Sequence, residues 1–131
     1  MLRKTAAEMV AEARAKIIEI DAMSLLEEGS LDNRVLVDIR DIRERQRSGF
    51  IPGSVHAPRG MLEFWIDPAS PYHKPVFAQD DKEYVFYCAS GWRSALATAS
   101  LQEMGFKAAH ITGGFSSWVE AGGPVDEMGQ K

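Results

Sequence analysis

The chain has 131 residues, 45% hydrophobic and 26% charged, with a formal net charge of −4 and a single cysteine. That is enough chain for one globular domain with a core that needs no disulfide staples, and the mild negative charge argues against nucleic acid or an anionic membrane as the main partner. One cysteine excludes an internal disulfide, a multi-cysteine metal site and redox chemistry that needs a resolving cysteine in the same chain. No window approaches the roughly 20 apolar residues of a membrane span. Glu8 and Glu12 interrupt any signal-peptide-like apolar stretch. A cytoplasmic location, where a thiol stays reduced, is therefore expected.

Residues 2–16 read as an amphipathic helix, with Leu2, Ala6, Met9, Val10, Ala13 and Ile17 at helical spacing. Its apolar stripe either packs on its own domain or meets a partner. Ile17 to Ile20 suits a short strand, and Asp21 an N-cap for a helix through Glu28 that Gly29 stops. Val35-Leu36-Val37-Asp38 is the next strand, followed by a charged helix around Asp41–Arg47 that ends at Gly49. Ile51-Pro52-Gly53 is a turn, because Pro and Gly set the backbone angles a turn requires.

Ser54 to Ala57 allows only a short strand, and residues 59–66 look helical, with Met61, Leu62, Phe64 and Trp65 on an apolar face. A Pro-rich loop, 67–75, separates the two halves of the domain. Residues 84–87 form an apolar strand, and a helix runs from the Cys88 loop to Met104, with Gly105 as its stop. Ala108 to Ile111 is the last strand, Gly113-Gly114 a turn, and Phe115–Ala121 a short helix. The segment from Gly122, and 125–131 in particular, reads as a flexible tail. Strand-then-helix repetition implies an α/β fold: a small parallel sheet of about five strands with helices on both faces.

The chemistry concentrates in Tyr84-Val85-Phe86-Tyr87-Cys88-Ala89-Ser90-Gly91-Trp92-Arg93-Ser94. An apolar strand ends at the only cysteine, a small Gly-containing loop follows, and a helix begins. Backbone N–H groups and the helix dipole converge on such a turn and stabilise an anion, so a thiolate there is a good nucleophile. In open α/β sheets the ligand site lies beyond the carboxyl ends of the strands, which is where Cys88 falls. A buried structural thiol is the competing interpretation.

Four local patterns occur in one order: Val37-Asp38-Ile39-Arg40, Gly49-Phe50-Ile51-Pro52-Gly53-Ser54, Tyr87 to Ser94, and Gly113-Gly114-Phe115-Ser116-Ser117-Trp118. Together they resemble the single-domain rhodanese-like sulfurtransferases, from about residue 17 to residue 124, with 1–16 as an N-terminal extension. The resemblance implies that Cys88 takes a sulfane sulfur from thiosulfate or a persulfide donor, holds it as a persulfide, and passes it to an acceptor. Ala89, Ser90, Gly91, Trp92 and Arg93 would cradle the sulfur and bind the donor. No metal or organic cofactor is implied. The partners implied are a small anionic sulfur donor, a thiol or cyanide acceptor, or a protein in either role, with no nucleic acid and no membrane, and the chain is expected as a monomer or weak dimer. One departure is Phe50, where the family often has His; it lies in a turn away from the expected pocket.

Arg93 admits two roles, attracting an anionic donor or shaping the loop while held by a carboxylate. Asp38 is expected to brace the loop, and Arg40 with Glu44 to form an exposed ion pair at a helix start. His56 and His110 are expected as buried, hydrogen-bonded structural residues, and His73 as exposed. Gly113-Gly114 and Trp118 read as a turn and a packing anchor. Two other functions fit less well. A Cys-loop phosphatase or arsenate reductase would have five residues between Cys and Arg, against four here (89–92). A non-enzymatic docking module commonly lacks the Cys that is present here, while a sulfur carrier between proteins keeps the Cys88 chemistry.

Overall fold

Tyr84, Val85, Phe86 and Tyr87 are all buried, which a strand achieves only when both faces of its sheet are covered. They lie in β4 (Glu83–Tyr87), the middle strand of a five-stranded, wholly parallel sheet in the computed structural model, which describes residues 1–129. The other strands are β1 (Ile18–Asp21), β2 (Arg34–Asp38), β3 (Val55–His56) and β5 (Ala108–Thr112), in the spatial order β1-β5-β4-β2-β3. The helices are α1 (Ala6–Lys16), α2 (Ala22–Glu27), α3 (Ile42–Ser48), α4 (Leu62–Ile66), α5 (Trp92–Glu103) and α6 (Gly114–Glu120). The expected α/β architecture is the observed one. Among the described residues no helix is long and apolar enough to cross a membrane.

Alternation along the strands sorts the core into two layers. Val37 and Phe86 face one side with Leu62 and Ile66 of α4 and Ala97 and Leu101 of α5. Leu36, Val85 and Tyr87 face the other with Leu25 of α2 and Phe115 and Trp118 of α6. Isolated helices of five to seven residues, the lengths of α2, α3, α4 and α6, do not hold in water. Burying each large apolar side chain contributes about 1.5–3 kcal/mol, and that is what keeps these helices formed.

α1 begins at Ala6 because Thr5 caps it: its hydroxyl accepts from the Glu8 N–H, while the Glu8 carboxylate accepts from the Thr5 N–H. Its stripe packs on its own domain, Val10 and Ala13 meeting Ala95 of α5. The start of the segment read as a flexible tail is tied down. Asp126 pairs with Phe50 in an antiparallel bridge, and Trp118 Nε1 donates to the Pro124 carbonyl at 2.8 Å. Residues 130–131 of that segment lie outside the described residues.

One expected ion pair is replaced. Arg40 precedes α3 and so is not four residues along a helix from Glu44; Asp41 is the N-cap, and Glu44 closes its capping box. Arg40 instead turns inward and is 2% exposed, with its guanidinium on the fully buried Asp38.

Candidate active site

β4 delivers Cys88 to the carboxyl edge of the sheet, and the chain must then reverse into α5 within four residues. Gly91 makes this possible by taking φ 103°, a left-handed conformation that side-chain-bearing residues avoid. The reversal folds the loop around the sulfur. Cys88 Sγ accepts from the Gly91 N–H at 3.1 Å and the Ser94 N–H at 3.3 Å. Among the described residues, the N–H groups of Ala89, Ser90, Trp92 and Arg93 donate to nothing else in the protein. Those of Trp92 and Arg93 are first-turn helix donors, left open for an anion.

The back of the loop is held by the turn into α6. Phe115 N–H donates to the Cys88 carbonyl at 2.8 Å and Ser116 N–H to the Ala89 carbonyl at 3.0 Å. Gly114 brings the two segments together: a Cβ there would sit 2.5 Å from the Cys88 carbonyl oxygen, and its φ is 64°. The Gly113-Gly114 pair is thus a turn, as expected, but one whose purpose is to grip the Cys88 loop.

Arg93 extends to α3, where its two terminal nitrogens donate to Glu44 at 2.8 and 3.0 Å with the side chain 43% exposed. The Glu44 carboxylate, ahead of the nearby Cys88 sulfur, raises the Arg93 pKa, and Arg93 in turn holds the Glu44 carboxyl below its ordinary value. The guanidinium is therefore both carboxylate-held and close to the thiol. Trp92 is half exposed at the loop surface.

Behind the sulfur runs a chain of polar side chains. Ser94 Oγ lies 3.5 Å from Cys88 Sγ and 2.7 Å from His110 Nδ1. His110 Nε2 lies 2.9 Å from Glu19 Oε2, and Arg14 Nε donates to the same oxygen at 2.8 Å. Burial lowers the His110 pKa, and Glu19 only partly offsets it. Burial opposes ionisation of Glu19, but Arg14 and His110 outweigh it, so its carboxyl lies below the ordinary range. His110 is the buried, hydrogen-bonded histidine the sequence suggested. Its connection to the cysteine was not foreseen.

Asp38 lies one strand away and does not touch the sulfur. It accepts from Arg40 at 2.8 and 3.0 Å and from Arg45 at 3.2 Å. The Arg40 guanidinium also donates to the Gly49 carbonyl and stacks 4.4 Å over the Phe115 ring, while that of Arg45 lies 4.0 Å over the Phe50 ring. Phe50 thus has a packing role. Tyr87, between the two regions, has its pKa pushed up to about 12 by burial first and the Asp38 charge second, so its hydroxyl stays protonated. His56 meets the Arg40 carbonyl at 2.7 Å and His73 the Trp65 carbonyl at 3.0 Å. Neither ring is in the Cys88 loop.

Residues 21–121 match the family model described as a rhodanese-like domain. A Bacillus subtilis (strain 168) protein named "Putative sulfurtransferase YtwF" is 35% identical over 104 residues, covering 79% of this chain and 91% of the relative. A solved structure from Rhodopseudomonas palustris CGA009, described as a protein of unknown function and possible tyrosine phosphatase, is 49% identical with a TM-score of 0.89, covering 96% of this chain and 97% of that one. A rhodanese-related protein of Thermoplasma volcanium is 30% identical with a TM-score of 0.68, covering 85% and 99% of the two chains.

Proposed function

The chain belongs to the rhodanese-like domain family, and from that premise we propose that it is a sulfurtransferase working through a Cys88 persulfide. The Cys88 thiolate attacks the outer sulfur of thiosulfate or a persulfide. The donor's S–S bond breaks and its leaving group, sulfite in the case of thiosulfate, departs with the electron pair. The new terminal sulfur carries the negative charge, and the free N–H groups of Ala89, Ser90, Trp92 and Arg93 are the donors that would receive it. Gly91 and Ser94 keep their N–H groups on Sγ itself. A thiol or cyanide then takes the terminal sulfur and regenerates the thiolate. With one cysteine in the chain, that transfer is intermolecular, to a small molecule or to another protein. Arg93 beside the loop favours anionic donors.

The observation that carries this reading is the N–H cradle around Cys88, closed after only four residues by Arg93. Incubation with thiosulfate should add about 32 Da, one sulfur, to the intact protein and nothing to Cys88→Ser. No adduct from thiosulfate or any other sulfane donor would overturn it. The name of the Rhodopseudomonas structure keeps a phosphatase reading in play. Cys-loop phosphatases need one more residue between Cys and Arg to surround a tetrahedral oxyanion, so the shorter loop here favours a single sulfur atom. Hydrolysis of a generic phosphate ester that disappears in Cys88→Ser would favour the phosphatase instead.

A further inference from the structure

We propose that His110 is the proton acceptor for the Cys88 thiol, acting through the Ser94 hydroxyl, with Glu19 as the group that supports the charged ring. The inference deepens the sulfur-transfer reading and rests on it for its role in turnover. The proton chemistry itself needs no sulfur donor.

The distances fix one direction of donation. Glu19 is an acceptor, held ionised by Arg14, so the His110 Nε2 that faces it at 2.9 Å carries a hydrogen. Burial keeps the ring neutral, which leaves Nδ1 bare. A bare Nδ1 at 2.7 Å takes the Ser94 hydroxyl hydrogen in preference to the Gly91 carbonyl, which is 3.5 Å from the same oxygen. Ser94 Oγ then has lone pairs free toward Cys88 Sγ at 3.5 Å, within reach of an S–H donor. Every link from sulfur to imidazole therefore points the same way.

Ionisation follows without any co-reactant. The Cys88 S–H bond breaks and its proton passes to Ser94 Oγ, while the hydroxyl's own proton passes to His110 Nδ1. Sulfur keeps the electron pair, held by the Gly91 and Ser94 N–H groups. The ring becomes an imidazolium whose Nε2–H faces the Glu19 carboxylate. Glu19 from β1 and Arg14 from α1 are the charged groups that act on His110, Ser94 reaches it from α5, and β4 presents the apolar Phe86 as its register partner. The far end of the chain opens into a cleft of about 180 Å³ whose lining includes Arg14, Glu19 and His110 together with Ser90, Gly91 and Trp92. Water in such a cleft can exchange the proton.

The test is the pH dependence of Cys88 alkylation by iodoacetamide, with no sulfur donor present. His110→Gln keeps a polar side chain but cannot take a proton, and its alkylation at pH 7 should slow about tenfold, the curve moving to higher pH. Glu19→Gln touches the sulfur only through His110 and should slow it about threefold. A His110→Gln profile that superimposes on that of the wild type overturns the proposal. Should that variant fail to fold, Glu19→Gln decides, since Glu19 is partly exposed: a slower rate supports the relay and an unchanged rate overturns it. Alkylation shifts with no adduct from thiosulfate or any other sulfane donor would sink the sulfur-transfer reading and leave the relay standing. An adduct with unshifted alkylation would do the reverse.

Discussion

Two neighbouring strands end in buried polar groups that are handled in opposite ways. At the end of β2, Asp38 pairs with both Arg40 and Arg45, and Ser48, Gly49, Ser54 and two aromatic rings engage the rest of the two guanidiniums. At the end of β4 the groups converge on one sulfur, and four N–H donors have no partner among the described residues. The first arrangement is closed and has nothing to offer a substrate. The second holds a nucleophile with unspent hydrogen-bonding capacity. A buried charge cluster is therefore no pointer to the reacting group, while open donors around a thiol are.

The largest effect that would test this division is on stability at β2. Arg40→Met leaves Asp38, which is fully buried, with one guanidinium where it had two, and should cost about 3–5 kcal/mol in urea denaturation. Cys88→Ser, which strips the nucleophile, should change stability by less than about 1 kcal/mol while abolishing sulfur uptake. An Arg40→Met protein as stable as the wild type would erase the contrast.

Gly114 lies where the two concerns meet, and Gly114→Ala comes next in size. Its φ of 64° and the 2.5 Å approach to the Cys88 carbonyl force the Cys88 loop off the α6 turn. The expected loss is about 2 kcal/mol in stability and between about ten- and a hundredfold in the rate of persulfide formation. If the rate held while stability fell, the grip on the loop would be structural only.

What the sequence disclosed, and what it hid, follows the same division. The β4–Cys88–α5 turn is contiguous, so strand, glycine and helix start could be read directly, and the Gly113-Gly114 turn lay next to its own strand. The partnership of Glu19 with His110 spans 91 positions and depends on β1 lying beside β5, which residue patterns do not encode. Periodicity reveals which face a strand buries but not which strand it pairs with. Arg40 misled for a local reason. Its four-residue spacing to Glu44 mimics a helical pair, yet Asp41 caps the helix after it, so the side chain was free to fold back onto Asp38.

The third effect is smaller and depends on pH. Burial lowers the His110 pKa, so below about 6.5 the unfolded histidine takes up a proton that the folded one does not. Stability should fall as pH drops through that value, until the folded ring also protonates. Glu19 and Glu44, whose pKa values are lowered, add a separate loss as pH falls below the ordinary carboxyl range. Thermal melts between pH 7 and 5.5 should show the first step in the wild type and lack it in His110→Gln. A wild-type melting temperature that is flat across that range would contradict a histidine buried neutral.

The smallest effect separates the two parts Arg93 plays. Its pair with Glu44 is partly exposed and screened, so Glu44→Gln should cost no more than about 0.5 kcal/mol. Removing the carboxylate, however, leaves the guanidinium charge unopposed beside the thiol. An anionic reagent should then gain on a neutral one, the ratio of iodoacetate to iodoacetamide alkylation rising about two- to threefold at low salt and falling back as salt is added. A general loosening of the loop would slow both reagents alike and leave the ratio unchanged. A ratio that falls would mean that Glu44 serves Arg93 mainly by aiming it, and that the charge at the mouth of the loop depends on the ion pair that holds it there.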